Sequence, residues 1–152
     1  MPGDLPPDEA VIAIALAKAR DVAATVLPDA LVLAADTEVC LGGKLLGKPA
    51  NKAEAKQMLR RLSGVKHTVY TGVAMIYDGC VVTGAEATDV YFRDLSAAEI
   101  DAYVATGEPM DKAGAYGLQG RASVFVRRIE GDVYNVIGLP LCRWLRWRRK
   151  WE

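Results

Sequence analysis

The sequence predicts an α/β fold, a single domain over residues 1–152 built on a mixed β-sheet flanked by helices. Three observations carry that prediction. Helical and extended patterns alternate along the chain in the order helix, strand, helix, hairpin, helix, strand, helix. A length of 152 residues suits one hydrophobic core. No repeat, low-complexity segment or linker divides the chain.

The elements follow in order. After a Pro-rich polar start, residues 8–27 read as a helix with Ala, Ile and Leu on most faces, which implies burial against a sheet. "ALVLAADTEV" (30–39) is a near-continuous apolar run, the pattern of a strand covered on both faces. Gly42-Gly43 supplies a tight turn and "KLLG" a short return strand. Asn51, with Glu54 three residues on, starts a second helix in the manner of a capping box, and Ser63-Gly64 ends it. "HTVYTGVAMIY" and "CVVTGAEATDVYF" are strands joined at Asp78-Gly79, a strong hairpin signal. Ser96 and Glu99 cap a third helix that ends near Thr106-Gly107. "ASVFVRRIEG" (122–131) reads as a further strand, and Gly138-Leu139-Pro140 opens a last helix.

Composition narrows the function. Basic and acidic residues balance at 19 each, so no global field favours nucleic acid, and any anion site must be local. Cys40, Cys80 and Cys142 form no C-x-x-C pair, which argues against a zinc site or disulfide framework and for a reduced, cytoplasmic setting. The start has neither the basic nor the apolar region of a signal peptide, and no apolar run is long enough to span a bilayer.

Several residues could carry chemistry. "GGKLLGKP" (42–49) fits the phosphate-loop pattern G-x-x-x-x-G-K at Gly42, Gly47 and Lys48, but Pro49 stands where a hydroxyl should hold magnesium. The stretch reads better as a hairpin return, and from spacing alone Lys48 is a solvated loop lysine. Asp36 closes the apolar run "LVLAAD" at the expected carboxyl end of a strand, where α/β sheets place ligands. There a carboxylate binds a metal or activates water, or it simply caps the next turn. "DKAGAYGLQG" (111–120) has so little side chain that its backbone could approach a ligand, with Lys112 and Gln119 as polar groups; an irregular loop is the plainer reading. His67, the only histidine, reads as a satisfied strand residue. The tail sets Trp144, Trp147 and Trp151 on one helical face and Arg143, Arg146, Arg149 and Lys150 mostly on another, as in an amphipathic closing helix.

Taken together, "LAADTEV", "GKP", "AEAKQMLRRLSG", "HTVYTGVAMI", "EIDAYVATGEPMDKAGAYGLQG" and "NVIGLPL" resemble, in this order, the Maf family of nucleoside triphosphate pyrophosphatases. The likeness runs from about Glu9 to Leu145. It implies an elongated α/β domain with a bent mixed sheet. It also implies hydrolysis of a nucleoside triphosphate to monophosphate and pyrophosphate with a divalent cation, Mg or Mn. Family members are often dimers, so a homodimer is a candidate assembly; no nucleic acid or membrane partner is expected. By resemblance Asp36 is the water-activating acid, with metal ligation open to it. Lys48 contacts phosphate, and Lys18, in "LAKA", faces the site. Lys112 joins the substrate contacts. Thr37 and Gln119 match the positions that sort the subfamilies: Thr with Gln marks the branch acting on dTTP and UTP, whereas the branch acting on methylated GTP has Glu in place of Gln119. "GGKLLGKP" then resembles a hairpin that delivers Lys48 to the phosphates.

Family members open with a strand and a Ser-x-x-Arg-Arg loop, then a second strand bearing a site Glu. This chain resembles the family only after them, which implies a few dozen absent residues, by start-site error, trimming or natural truncation, and a weakened catalyst. Two rivals therefore stand beside the enzyme: a nucleotide-binding remnant of the family without activity, and an unrelated phosphate-binding α/β protein resting on the G-x-x-x-x-G-K match alone.

Overall fold

The computed structural model describes residues 4–149. The element order is α1 (Pro7–Ala23), β1 (Val32–Leu41), β2 (Lys44–Leu45), α2 (Lys52–Leu62), β3 (Lys66–Tyr77), β4 (Cys80–Phe92), α3 (Ala97–Ala105), β5 (Val126–Glu130), α4 (Val133–Ile137) and α5 (Leu141–Arg149). Short 3₁₀ turns fill Glu108–Asp111, Ala113–Ala115 and Arg121–Phe125. The strands form one sheet in the order β2-β1-β3-β4-β5, antiparallel between neighbours, with helices against it. The α/β class read from the sequence holds, but the sheet is antiparallel rather than mixed, because its neighbouring strands are joined by hairpins and returns instead of parallel crossovers.

The chain gathers into two compact units. The first comprises the described parts of Met1–Thr37, Tyr70–Ala87 and Asp132–Glu152; the second comprises Glu38–Val69 and Thr88–Gly131. In the first unit α1 starts with proline in its opening turn, where the missing N–H costs nothing. Asp8 and Glu9 lie at its N-terminal end and Arg20 at its C-terminal end, each matched to the helix dipole. Its inner face is small: Ala15 and Ala19 pack on Val32 and Ala74, with Leu16, Ala23, Ala34 and Ile76 around them. The neighbouring strand residues face the other way. Val73 and Met75 pack on Trp147 of α5, with Leu33, Ala35, Val82 and Trp144 beside them. Side chains alternate along a strand, so even-numbered residues of β1 here face α1 and odd-numbered ones face α5.

Close approach sets one residue of β3. A β-carbon on Gly72 would lie 2.3 Å from the carbonyl of Val11, so α1 lays its backbone directly on the strand. At α5, Arg143 Nε donates to Glu86 Oε1 at 2.7 Å and its guanidinium stacks over Trp147 at 5.7 Å. The closing helix of the sequence reading is therefore present, although Arg143 is engaged with the sheet rather than solvated. Lys150 and Trp151, which the sequence reading placed on that helix, lie outside the described residues.

In the second unit α2 and α3 pack over buried Leu59, Leu62, Ile100 and Val104. Asn51 accepts the Glu54 amide at 2.9 Å, and Ser96 with Glu99 forms the complete capping box. Buried His67 meets Phe92 and Tyr116 edge to face at 5.0 and 5.4 Å, and the aromatic chain continues from Phe92 to Phe125 and Tyr103 at 6.1 and 5.2 Å.

Three boundaries differ from the sequence reading, and one short helix adds to it. The first helix stops at Ala23 rather than near residue 27, and Leu27 is 75% exposed. Residues 122–125 form a 3₁₀ turn, so β5 begins only at Val126. The β-branched stretch 133–137 is a short helix, started by Asp132 accepting the Tyr134 amide at 2.8 Å. Finally, β1 continues to Leu41, so Asp36 lies in mid-strand and not at a carboxyl end.

Candidate active site

Alternation along β1 points Asp36 toward α1, where Lys18 meets it. Lys18 Nζ donates to Asp36 Oδ1 at 2.7 Å and to the Ala35 carbonyl at 3.3 Å. The ammonium is 52% exposed and the carboxylate only 14%. Asp36 Oδ2 is buried and accepts no hydrogen bond from the described residues. A buried carboxylate oxygen without a donor is uncommon and costly, about 1–3 kcal/mol or more for a charged group. The lysine thus holds one oxygen and leaves the other turned to no protein partner. Of the three ammonium hydrogens, one remains for an incoming anion.

Thr37 faces the opposite side of the strand. Its hydroxyl lies 2.8 Å from that of Thr71, and Thr71 donates to the Asn135 carbonyl at 2.8 Å. A carbonyl only accepts, so the Thr71 proton is committed to Asn135 and the Thr37 proton goes to Thr71. Thr37 therefore ties β1 to β3 and, through Thr71, to α4. Among the sequence-predicted residues of the first unit, the structure brings Lys18 and Asp36 together and sends Thr37 elsewhere.

The second unit holds Lys48, Lys112 and Gln119. The G-x-x-x-x-G-K stretch is a β-hairpin: Cys40 pairs with Leu45 and Leu41 with Lys44. No helix begins at Gly47-Lys48, where a phosphate loop needs one; α2 starts only at Lys52 and is capped by Asn51, so the phosphate-loop reading falls and the hairpin-return reading stands. Pro49 is buried, Lys48 is exposed, and the Gly47 carbonyl accepts the Gly114 amide at 2.8 Å. That bond fastens the lysine's turn to the Gly-rich loop. Lys112 Nζ bonds Asp111 Oδ1 at 3.0 Å, and Lys112, with Lys48 as a lesser influence, holds the Asp111 carboxyl below its usual range.

The glycines of 111–120 answer to internal packing. A β-carbon on Gly117 would meet the Lys112 stem at 2.5 Å, and one on Gly120 would overlap the Glu108 carboxylate. Gln119 is exposed. Glu108 and Tyr103, which the sequence reading passed over, run beneath this loop; a carboxylate just before a Gly-rich stretch was the only trace of them. His67 is buried, with Nε2 2.6 Å from the Tyr116 hydroxyl. Burial pushes its pKa down to about 4, with the Asp89 charge opposing. It is a neutral core residue.

Among the described residues no three His, Cys, Asp or Glu side chains gather as a metal site. Magnesium commonly needs only one or two protein carboxylates, the rest coming from water and substrate phosphates. Asp36 Oδ2, a carboxylate oxygen with no protein donor, fits one such position.

The sequence profile described as "Maf-like protein" matches residues 2–151. The chain belongs to the Maf family. Within that family it is 54% identical over 140 residues to a Bacillus anthracis protein named dTTP/UTP pyrophosphatase, covering 92% of this chain and 73% of that one. Proteins of the same name from Bacillus cereus and Bacillus thuringiensis are 53% identical over the same shares. Among the described residues of this Maf protein, no helix is long and apolar enough to cross a membrane.

Proposed function

We propose that this Maf protein is a nucleoside triphosphate pyrophosphatase that cleaves dTTP and UTP to the monophosphate and pyrophosphate. The observation that carries the chemistry is the Lys18–Asp36 pair, with Oδ1 engaged at 2.7 Å and Oδ2 buried and without a donor. Similarity to enzymes named for dTTP and UTP supports the substrate class. In this reading Asp36 Oδ2 accepts the proton of a water molecule whose oxygen adds to phosphorus. The bond between the α-phosphoryl group and its bridging oxygen then breaks, and pyrophosphate leaves with that oxygen. A positioned base contributes about 10²–10⁴-fold. Lys18 keeps the carboxylate in place and offers its third hydrogen to a phosphoryl oxygen.

Lys48 and Lys112 supply positive charge to the phosphates. Thr37 contributes by holding β1 in register from the opposite face. Gln119 offers both an amide donor and an acceptor to the base edge. A divalent cation, Mg or Mn, would be held by the substrate's own phosphate oxygens and water, with Asp36 as the nearby carboxylate; when bound it would supply charge stabilisation on those oxygens. The reading carries with it a cytoplasmic location and a homodimeric assembly.

A binding-only remnant is the weaker reading, because identity to proteins named as enzymes extends over 92% of the chain. The test is product analysis by phosphorus NMR with dTTP, UTP, dCTP, dATP and dGTP, with and without chelator. Monophosphate plus pyrophosphate from dTTP and UTP, lost on chelation and restored by Mg or Mn, is expected. Diphosphate plus phosphate, or no turnover of either nucleotide, overturns the proposal.

A further inference from the structure

Residues Gly117–Gly120 form a four-residue turn closed by the Gly120 amide on the Gly117 carbonyl at 3.1 Å. Gln119 sits third in that turn and is exposed. Both ends of the turn are held from below. At the entrance, the Gly117 amide donates to the Tyr103 hydroxyl at 3.2 Å. At the exit, the Arg121 amide donates to Glu108 Oε2 at 3.3 Å. The two anchors are themselves joined, since Tyr103 donates its own proton to Glu108 Oε1 at 3.0 Å. Tyr103 is buried at the end of α3, and the space over Gly120 is filled by the Glu108 carboxylate.

We propose that Glu108 and Tyr103 are positioning residues that set nucleobase selectivity by fixing the turn that presents Gln119. The inference rests on the reading of Gln119 as the residue that meets the base. Its chemistry is directional. A carboxylate accepts at both oxygens, which is what a hydroxyl donor on one side and an amide donor on the other require. The isosteric change Glu108→Gln cannot satisfy both. With its NH₂ toward Arg121 two donors face each other. With its NH₂ toward Tyr103 the hydroxyl receives two donors and its own proton loses the carboxylate. Tyr103→Phe breaks the same linkage at its middle atom while keeping the ring packing on Phe125, 5.2 Å away. Neither residue belongs to the set proposed to touch the nucleotide, so their loss acts through the turn.

The experiment is a double-mutant cycle read as a selectivity ratio, kcat/KM for dTTP over kcat/KM for dCTP. Glu108→Gln and Tyr103→Phe, each alone, are expected to lower that ratio about 10-fold, mainly through KM for dTTP. Added to Gln119→Ala, neither is expected to move it further. Amide hydrogen exchange at Gly117 and Arg121 should quicken in both variants. A ratio unchanged in both single variants overturns the proposal, as does an equal fall on the Gln119→Ala background. Absence of dTTP and UTP turnover by the unaltered protein overturns the functional reading instead, and the inference with it. If one variant does not fold, the other decides.

Discussion

Gly72→Ala tests how closely α1 lies on the sheet that carries Asp36. The new β-carbon would sit 2.3 Å from the Val11 carbonyl carbon and oxygen and 2.6 Å from the Ile12 nitrogen. Ordinary contact is 3.4–4 Å, so α1 must lift by about 1 Å or β3 must sink, and backbone lies on both sides of the clash. Overpacking of this kind costs about 1–3 kcal/mol and occasionally more. Gly72 does not have a positive φ, so alanine's lower unfolded-state entropy returns roughly 0.4–1 kcal/mol. The clash wins, with a net loss of about 2 kcal/mol. At roughly 2–4 °C per kcal/mol for a chain of this size, Tm falls by about 4–8 °C. Lys18 lies two turns beyond Val11 on α1, so the same displacement draws its ammonium from Asp36 and lowers turnover. Thermal unfolding followed by circular dichroism, with pyrophosphate release measured alongside, is the assay. An unchanged or raised Tm refutes the close packing of α1 on β3.

Thr71→Val removes the hydrogen bond to the Asn135 carbonyl and the acceptor for Thr37, and should cost about 1–3 kcal/mol in denaturant unfolding, most of it regained by Thr71→Ser. The His67 pKa of about 4, below the ordinary 6.5, means that between those pH values the unfolded chain binds a proton the folded one refuses. Stability should therefore fall by roughly 3 kcal/mol as pH drops through that window and owe nothing to His67 above it; His67→Gln should flatten the slope there. A second acid loss, from Glu99 held at about 2 by Arg93, belongs to the lower window of 2–4.5 and should survive in that variant. Gln119→Glu exchanges an amide donor for an acceptor, so kcat/KM for dTTP and UTP should fall far more than for other triphosphates; a uniform fall would make Gln119 structural.

Local chemistry made much of the fold legible. Asp78-Gly79 could be read as a hairpin because that turn needs positive φ, and both residues have it, at 47° and 76°. Ser96 with Glu99 could be read as a helix start because the box satisfies its amides within four residues. The return strand after Gly43 followed from the same reasoning and removed the phosphate-loop reading. What the sequence hid depends on distant partners. The end of the apolar run at Asp36 looked like the end of a strand, whereas β1 continues and the carboxylate is met by Lys18, 18 residues earlier. Val26 and Leu27 suit a longer helix by composition, but α1 ends where its contacts with the sheet end, and both are exposed. Thr71 read as an ordinary β-former; only the fold places its hydroxyl between Thr37 and Asn135. Glu108 was invisible because its role is to accept a hydroxyl and a backbone amide further along the chain.

Asp36 is the group proposed to take water's proton. The direct measurement compares the unaltered protein with Asp36→Asn, following pyrophosphate release from saturating dTTP and, in parallel, nucleotide affinity by calorimetry. The amide keeps the size of the carboxylate and can still accept from Lys18, but its remaining NH₂ cannot take a proton. Turnover should fall by about 10²-fold or more while nucleotide affinity changes only a few-fold. Turnover near that of the unaltered protein, with dTTP still bound, would contradict the account and remove Asp36 from the reaction.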